Sequence, residues 1–545
     1  MRRHFRRSAF DGYVQRLLHS ANSVERESTY WGHTLHHEYP VLVPVPLLFE
    51  HVHILGGTGT GKTALGIAPL MIQLIRRNDG PVMVLDLKGD NALFHTARIE
   101  ADAANRKFKW FTNKPGRSTY IFNPWRQAYL EGMAIQEILG LFLLSLNLHH
   151  GDDYGRGFFS LASRTLLQDC LKQALDLEQI TRRRGTEGQR APQSFVELEA
   201  QIRQLAGSRE EYRAGQHLLH VLQSLIDFPQ LNMTPARNAD EPAVKHAIHM
   251  PDVINEKQVI YFYLQAVTDI TTVAEVARLA LYSILRAALA YRDETGKPPR
   301  VYVITDEAQH LVAQNIANVL AQAREHGVSC ILAHQSMSQL NPPGGVDLRE
   351  LFLSCTSVKQ FWSARDPALK DHISKISGEV NYYSATWPQF KSRVRGGEIG
   401  RQFAASKPEE RPYIQISESP GPRLTSQDLE DHSRQPNTSI LSIERNAGMC
   451  CFQGAFPVHM DWIMPEAEYE QRKLELPWPE PSDETIVTSG IWPAMNGDDQ
   501  ADDGTTANAD DVPSQRSQSA DEAGVVVNKL DGLKRRKRGK KGRRS

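Results

Sequence analysis

Apolar residues along this chain change their spacing three times, and each change marks a boundary. From Val41 to about residue 125, short apolar runs alternate with helical stripes. The run at 51–55 leads into a glycine-rich turn and a helix over 64–77. A second run, VMVLDLK at 82–88, precedes a helix over 91–104, and FKWFT and TYIFNP read as further strands. Strands alternating with helices predict a parallel sheet covered on both faces. Residues 126–245 then lose the strand signal. MAIQEILGLFLLSL, SLASRTLLQDCLKQAL, SFVELEAQIRQLA and HLLHVLQSLI all carry helical spacing, interrupted by the polar stretch TRRRGTEGQRAP. This block reads as an all-α domain inserted into the sheet domain.

Strand character returns at 246–475 with VIYFYL (259–264), VYVIT (301–305) and SCILAH (329–334), separated by helices over 270–291 and 308–326. In the second of these helices Val312, Ile316, Val319, Leu320 and Ala323 form one stripe, with Gln309, Asn315, Gln322 and Arg324 opposite. Residues 1–40 are mixed and charged, with one helix expected near 13–21. From 476 to 545 the apolar content is too low to offset chain entropy, so an acidic and then basic disordered tail is expected. It ends in KRRKRGKKGRRS, with nine basic side chains between Lys534 and Arg544. The fold class is therefore α/β, a mainly parallel sheet with an all-α insert.

At 545 residues the chain has room for two or three domains. Its net charge of −1 gives no global attraction to polyanions, so nucleic acid would need a local patch such as the tail. Five cysteines (Cys170, Cys330, Cys355, Cys450, Cys451), an odd set without a C-x-x-C pair, suggest reduced thiols in a cytosol. The longest apolar stretches fall well short of the roughly 18 residues a membrane span needs. The basic start MRRHFRR has no apolar segment after it, so it is not read as a secretory signal.

The chemistry concentrates at strand ends. Gly56, Gly57, Thr58, Gly59, Thr60, Gly61, Lys62 and Thr63 fill the pattern G-x-x-x-x-G-K-[ST], and Ala64 continues into the helix. Such a loop turns consecutive peptide N–H groups on an anion, Lys62 reaches the β- and γ-phosphates, and Thr63 holds Mg²⁺. The strand VYVIT ends in Asp306 and Glu307. Asp306 suits the metal ion and Glu307 suits a water-polarising base, although an acidic pair also favours the start of any helix. Gln335 closes SCILAH and would sense the γ-phosphate or simply cap the strand. Asp86 and Lys88 close the second strand in DLKGD. Arg324 is either a surface arginine or a finger for a neighbouring subunit's phosphate. The expected cofactors are ATP and Mg²⁺.

The ordered set GGTGTGKT, VLDLKGDNALF, YIFNPW with helices after it, TDEAQHL, AREHGVS and LAHQSMSQL resembles the TraG/TraD-type coupling proteins of conjugation and type IV secretion, in the FtsK/HerA class of DNA-pumping ATPases. The resemblance spans roughly 41–465 and includes the helical insert. It implies a RecA-like P-loop NTPase fold and a hexameric, ATP-driven DNA translocase in which Lys62 and Thr63, Asp306 and Glu307, Gln335 and Arg324 do the work. It also implies partners among relaxase, transfer-complex or secretion-channel proteins. Proteins of that kind usually begin with transmembrane helices, which this sequence lacks, so a cytoplasmic location, peripheral at the inner membrane, is expected. An ATPase for protein secretion or pilus assembly, and a recruiting adaptor switched by nucleotide, remain alternatives.

Overall fold

The computed structural model describes residues 8–35, 38–148, 161–173, 192–206, 216–233, 247–265, 270–311, 316–341, 347–362, 366–386, 415–444, 454–462, 466–474 and 476–488. In chain order the strands are β1 (Ser28–Thr34), β2 (Pro40–Pro44), β3 (Val52–Gly56), β4 (Val82–Asp86), β5 (Phe108–Thr112), β6 (Ser118–Thr119), β7 (Val259–Tyr263), β8 (Val301–Asp306), β9 (Val328–His334), β10 (Val358–Trp362), β11 (Glu379–Thr386), β12 (Gln415–Pro422), β13 (Thr438–Ile443), β14 (Gly454–His459) and β15 (Ile486–Val487).

Eleven of them form one sheet in the order β2-β1-β14-β13-β10-β3-β9-β8-β4-β7-β5. The run from β10 to β5 is parallel. The four strands on the other side, β13, β14, β1 and β2, pair antiparallel. β3, β4, β7, β8 and β9 are buried along their whole length, as near-continuous Val/Ile/Leu runs in a doubly covered parallel sheet should be.

Several local expectations are corrected. TYIFNP does not make a sheet strand. Only Ser118–Thr119 pairs, with β15, and Ile121 bridges to Ala247. Asn123 then accepts from the Trp125 amide and Pro124 contributes no N–H, so the chain turns away. The single helix expected over 308–326 is instead a 3₁₀ turn, Ala308–His310, and a separate helix, Ile316–Glu325. The first helix lies at Ala9–Leu18, started by Ser8, whose hydroxyl accepts from the Asp11 amide. The segment before residue 40 also adds β1 to the main sheet, buried through Gly32. Order extends past 475. Trp478 stacks on Phe94 with centroids 4.4 Å apart, and β15 pairs with β6. The expected tail from 489 onward lies outside the described residues.

The insert contributes helices Ile135–Ser145, 161–173, Phe195–Ala206 and Gln216–Ile226. Trp125 stacks on Phe142 at 3.8 Å and meets Phe195 edge-on, so the apolar core of the insert starts at the end of the first sheet segment. Arg278, on the long helix Ile270–Thr295, is buried. It donates to the carbonyls of Ser145 and His310, which ties the insert to the turn after β8. Among the described residues no helix is long and apolar enough to cross a membrane.

Candidate functional site

The parallel strands β3, β9, β8 and β4 end at the same edge, and their register places the functional groups side by side. Asp86 lies opposite Asp306, and Asp306 opposite Ala333, one residue before His334. Ligands of open parallel sheets bind outside this carboxyl edge.

After β3 the loop needs glycine where its backbone turns left-handed. Gly59 has φ +77° and Gly61 φ +94°, conformations that L side chains adopt only under strain. The helix that follows starts as a wide π turn, Lys62–Ile67, before becoming regular at Ala68–Arg77. Such turns are concentrated at functional sites.

Lys62 is buried and its Nζ lies 2.7 Å from Asp306 Oδ1 and 3.5 Å from Glu307 Oε1. Thr63 Oγ1 donates to Asp306 Oδ2 at 3.1 Å. A hydroxyl and a carboxylate so close offer hard oxygen donors of the kind Mg²⁺ prefers, so the residues fit that ion. Gln335 Nε2 donates to Glu307 Oε1 at 2.8 Å, while its Oε1 accepts from Thr58 Oγ1 at 3.1 Å. Gln309, which lay on a predicted helix face, donates to Glu307 Oε2 at 2.7 Å.

Glu307 itself is left-handed, φ 60° and ψ 47°, a conformation costing a non-glycine residue roughly 1–2 kcal/mol. The surrounding donors hold it there. Burial alone would raise its carboxyl. The Lys62 charge and hydrogen bonds from Gln309, Gln335 and Lys62 prevail and keep it below its ordinary value. Glu307 therefore stays ionised at neutral pH.

Asp86 is fully buried and anchors the DLKGD turn. Its carboxylate accepts from the amides of Lys88, Gly89 and Asp90 at 3.0, 2.9 and 2.7 Å, and from Tyr261 Oη at 2.7 Å. Burial, then the charges of Asp306 and Asp90, push its carboxyl up to about 7 against those donors. The site thus holds Asp306 and Glu307 around the ammonium of Lys62, with Asp86 opposite Asp306 on the neighbouring strand. Lys88 is half exposed, 3.8 Å from Asp90.

Arg324 is not brought to this edge. It sits at the end of helix Ile316–Glu325, just before β9 begins, and its Nη2 lies 3.1 Å from Glu50, which precedes β3. Among the predicted site residues Thr58, Lys62, Thr63, Asp306, Glu307 and Gln335 converge, and Arg324 lies at the opposite, amino edge of the sheet. Gln309 and Tyr261 were missed. Each is an ordinary residue on an ordinary element until the strands are laid in order.

Comparison with known proteins agrees with this geometry. Residues 30–242 match the family model of the helicase HerA central domain, and residues 300–418 match that of the TraM recognition site of TraD and TraG. A solved structure of the bacterial conjugative coupling protein TrwBdeltaN70, in an unbound form, aligns with a TM-score of 0.52 at 14% identity, over 83% of this chain and 91% of that one. TrwB in complex with ADP and Mg²⁺ aligns with a TM-score of 0.50 at 15% identity, over 77% and 87%. TrwB with the GTP analogue GDPNP aligns with a TM-score of 0.50 at 15% identity, over 83% and 92%. A search of curated proteins gave no sequence match. The two family matches and the shared fold define a P-loop ATPase of the HerA/FtsK class. Within that class the chain is similar to coupling proteins of the TraG/TraD type, through the family match over residues 300–418 and the shared fold.

Proposed function

We propose that this protein is an ATP-driven DNA translocase that works as a ring, most simply a hexamer, and delivers DNA or nucleoprotein to a conjugative or type IV secretion apparatus. The observation that carries the reading is the continuous link Thr58–Gln335–Glu307–Lys62–Asp306–Thr63. It joins the phosphate loop to an ionised base. A recruiting adaptor that only binds nucleotide has no need of Glu307 in a strained conformation with three polar partners, Lys62, Gln335 and Gln309.

Thr63 and Asp306 would hold Mg²⁺, which when bound neutralises charge on the phosphates. Lys62 exchanges its carboxylate partners for the nucleotide's phosphates, and Glu307 loses its principal opposing charge. Its basicity then rises just where it must take a proton from the attacking water. Gln335 holds Glu307 from one side and the loop at Thr58 from the other, so movement of the loop around a γ-phosphate is transmitted to the base.

The DNA-pumping reading is supported by the matches to the HerA and TraD/TraG families. Its test is the rate of ATP hydrolysis by the purified full chain with and without double-stranded DNA. Stimulation of several-fold by DNA is expected. A rate that DNA leaves unchanged, in protein that hydrolyses ATP, points to a motor for protein secretion instead.

A further inference from the structure

A tyrosine far along the chain lies on a helix packed against the one that Asp90 caps. The helix Glu466–Leu474 packs on helix Asn91–Ala103, which is capped by Asp90 at the end of the DLKGD turn. Arg472 donates to Thr96 Oγ1 at 3.2 Å and to Glu468 at 3.0 Å, and the Lys473 carbonyl accepts from Asn91 Nδ2 at 3.4 Å. Beyond the helix, Trp478 stacks on Phe94 and meets the edge of Tyr263, whose hydroxyl donates to the Gly89 carbonyl. These contacts fix the helix from two sides.

Tyr469 is 5% exposed, with its ring beside Trp462. Its hydroxyl is buried and has no hydrogen-bond partner. The charges acting on it come from Asp90, Asp306 and Asp86, in that order, and then Glu470. With burial as the larger cause, they push its phenol well above the usual range. A buried hydroxyl bonded to nothing, in the field of Asp90, Asp306 and Asp86, calls for an explanation, because native structures rarely leave such a group unpaired. Asp86 is already filled by three amides and Tyr261, and Asp306 by Lys62 and Thr63. A water between them can accept a hydrogen bond from the phenolic hydroxyl and donate to a carboxylate.

We propose that Tyr469 is a positioning residue of the nucleotide site, its hydroxyl orienting a water at the Asp90–Asp306 side that belongs to the hydration shell of the bound cation. The inference rests on the ATPase reading above and adds to it a part of the site delivered by the C-terminal helix. Outer partners of this kind typically change metal affinity or activity by about 10-fold or more.

Tyr469→Phe keeps the ring and its packing and removes only the unpaired oxygen. In the nucleotide-free protein the melting temperature should stay the same or rise, since no protein hydrogen bond is lost. Mn²⁺ affinity, read by electron paramagnetic resonance with a non-hydrolysable ATP analogue present, should fall about 10-fold. The value of kcat should fall by about the same factor with KM for ATP within about two-fold. Wild-type Mn²⁺ affinity and kcat in the variant overturn the inference. So does a lower nucleotide-free melting temperature with unaltered cation binding, which makes the hydroxyl a packing group. If the wild-type protein binds no analogue, the ATPase reading itself fails and this inference with it. If it binds and hydrolyses while Tyr469→Phe matches it throughout, only the role of Tyr469 fails.

Discussion

Lys62→Met separates two jobs that the phosphate-loop lysine performs. One is to hold the phosphates. The other, visible in the structure, is to balance Asp306 and Glu307, which are 0% and 8% exposed in their side chains, at 2.7 and 3.5 Å. Methionine preserves the length and volume of the lysine stem, so packing is nearly constant and the change is one of charge. Two unit charges 2.7 Å apart attract by roughly 6 kcal/mol at an effective dielectric of about 20. Removing one partner of a buried pair typically destabilises by about 3–5 kcal/mol, because the other is left uncompensated. At pH 8 the nucleotide-free variant should therefore lose roughly 3–5 kcal/mol, lowering the apparent melting temperature of a chain this long by about 3–5 °C.

The pH dependence gives the argument its sign. Without the ammonium, the folded cluster of Asp86, Asp306 and Glu307 takes up a proton that the unfolded chain does not hold above pH ~4. Stability bound to such a proton is present at low pH and falls as pH rises, by about 1.4 kcal/mol per unit. In the wild type Asp86, raised to about 7, already behaves so and its contribution is lost as pH rises from about 4 through 7. Glu307, held below its ordinary value, behaves oppositely. Its contribution is present above the ordinary carboxylate value and is lost as pH falls. The gap between variant and wild type should consequently widen from pH 5.5 to pH 8.5, read by thermal melts without nucleotide. A Lys62→Met protein that melts within 1 °C of wild type at pH 8 would refute the charge-balance reasoning.

Glu307→Gln retains shape and loses the base, so it should bind ATP within a few-fold of wild type while turnover falls at least about 100-fold. Hydrolysis at the wild-type rate would remove Glu307 from the mechanism. Arg324→Ala should bind ATP normally and lose turnover if Arg324 leaves Glu50 for a neighbour's site in the ring, and mixing it with Lys62→Met subunits should restore some activity. Unchanged turnover would make the Arg324–Glu50 pair an ordinary surface contact. Truncation after Asn528 removes ten basic side chains, Lys529 and the nine from Lys534 to Arg544, so DNA affinity should fall and its salt dependence flatten, with DNA-free hydrolysis unchanged. Equal affinity and equal salt slope in filter binding would exclude the tail from DNA contact.

By itself the sequence determined the parallel core, the all-α insert and the two motifs on which the site depends. Those signals are local. A glycine-rich loop between strand and helix, or a carboxylate pair after a buried strand, states its chemistry within about ten residues. The antiparallel addition of β13, β14, β1 and β2 was not legible, because pairing between residues about 400 positions apart leaves no periodic trace in either strand. The interrupted helix after Glu307 was hidden for another reason. Gln309 fits the polar face of the expected helix, and only the hydrogen bonds to Glu307 and the buried Arg278 show why the chain makes a tight 3₁₀ turn there instead. Tertiary structure alone placed Asp86 beside Asp306 and packed the helix of Tyr469 on the helix that Asp90 caps. Chemistry that depends on neighbours across a sheet is set by strand order, and strand order is decided by packing long after local propensity has been spent.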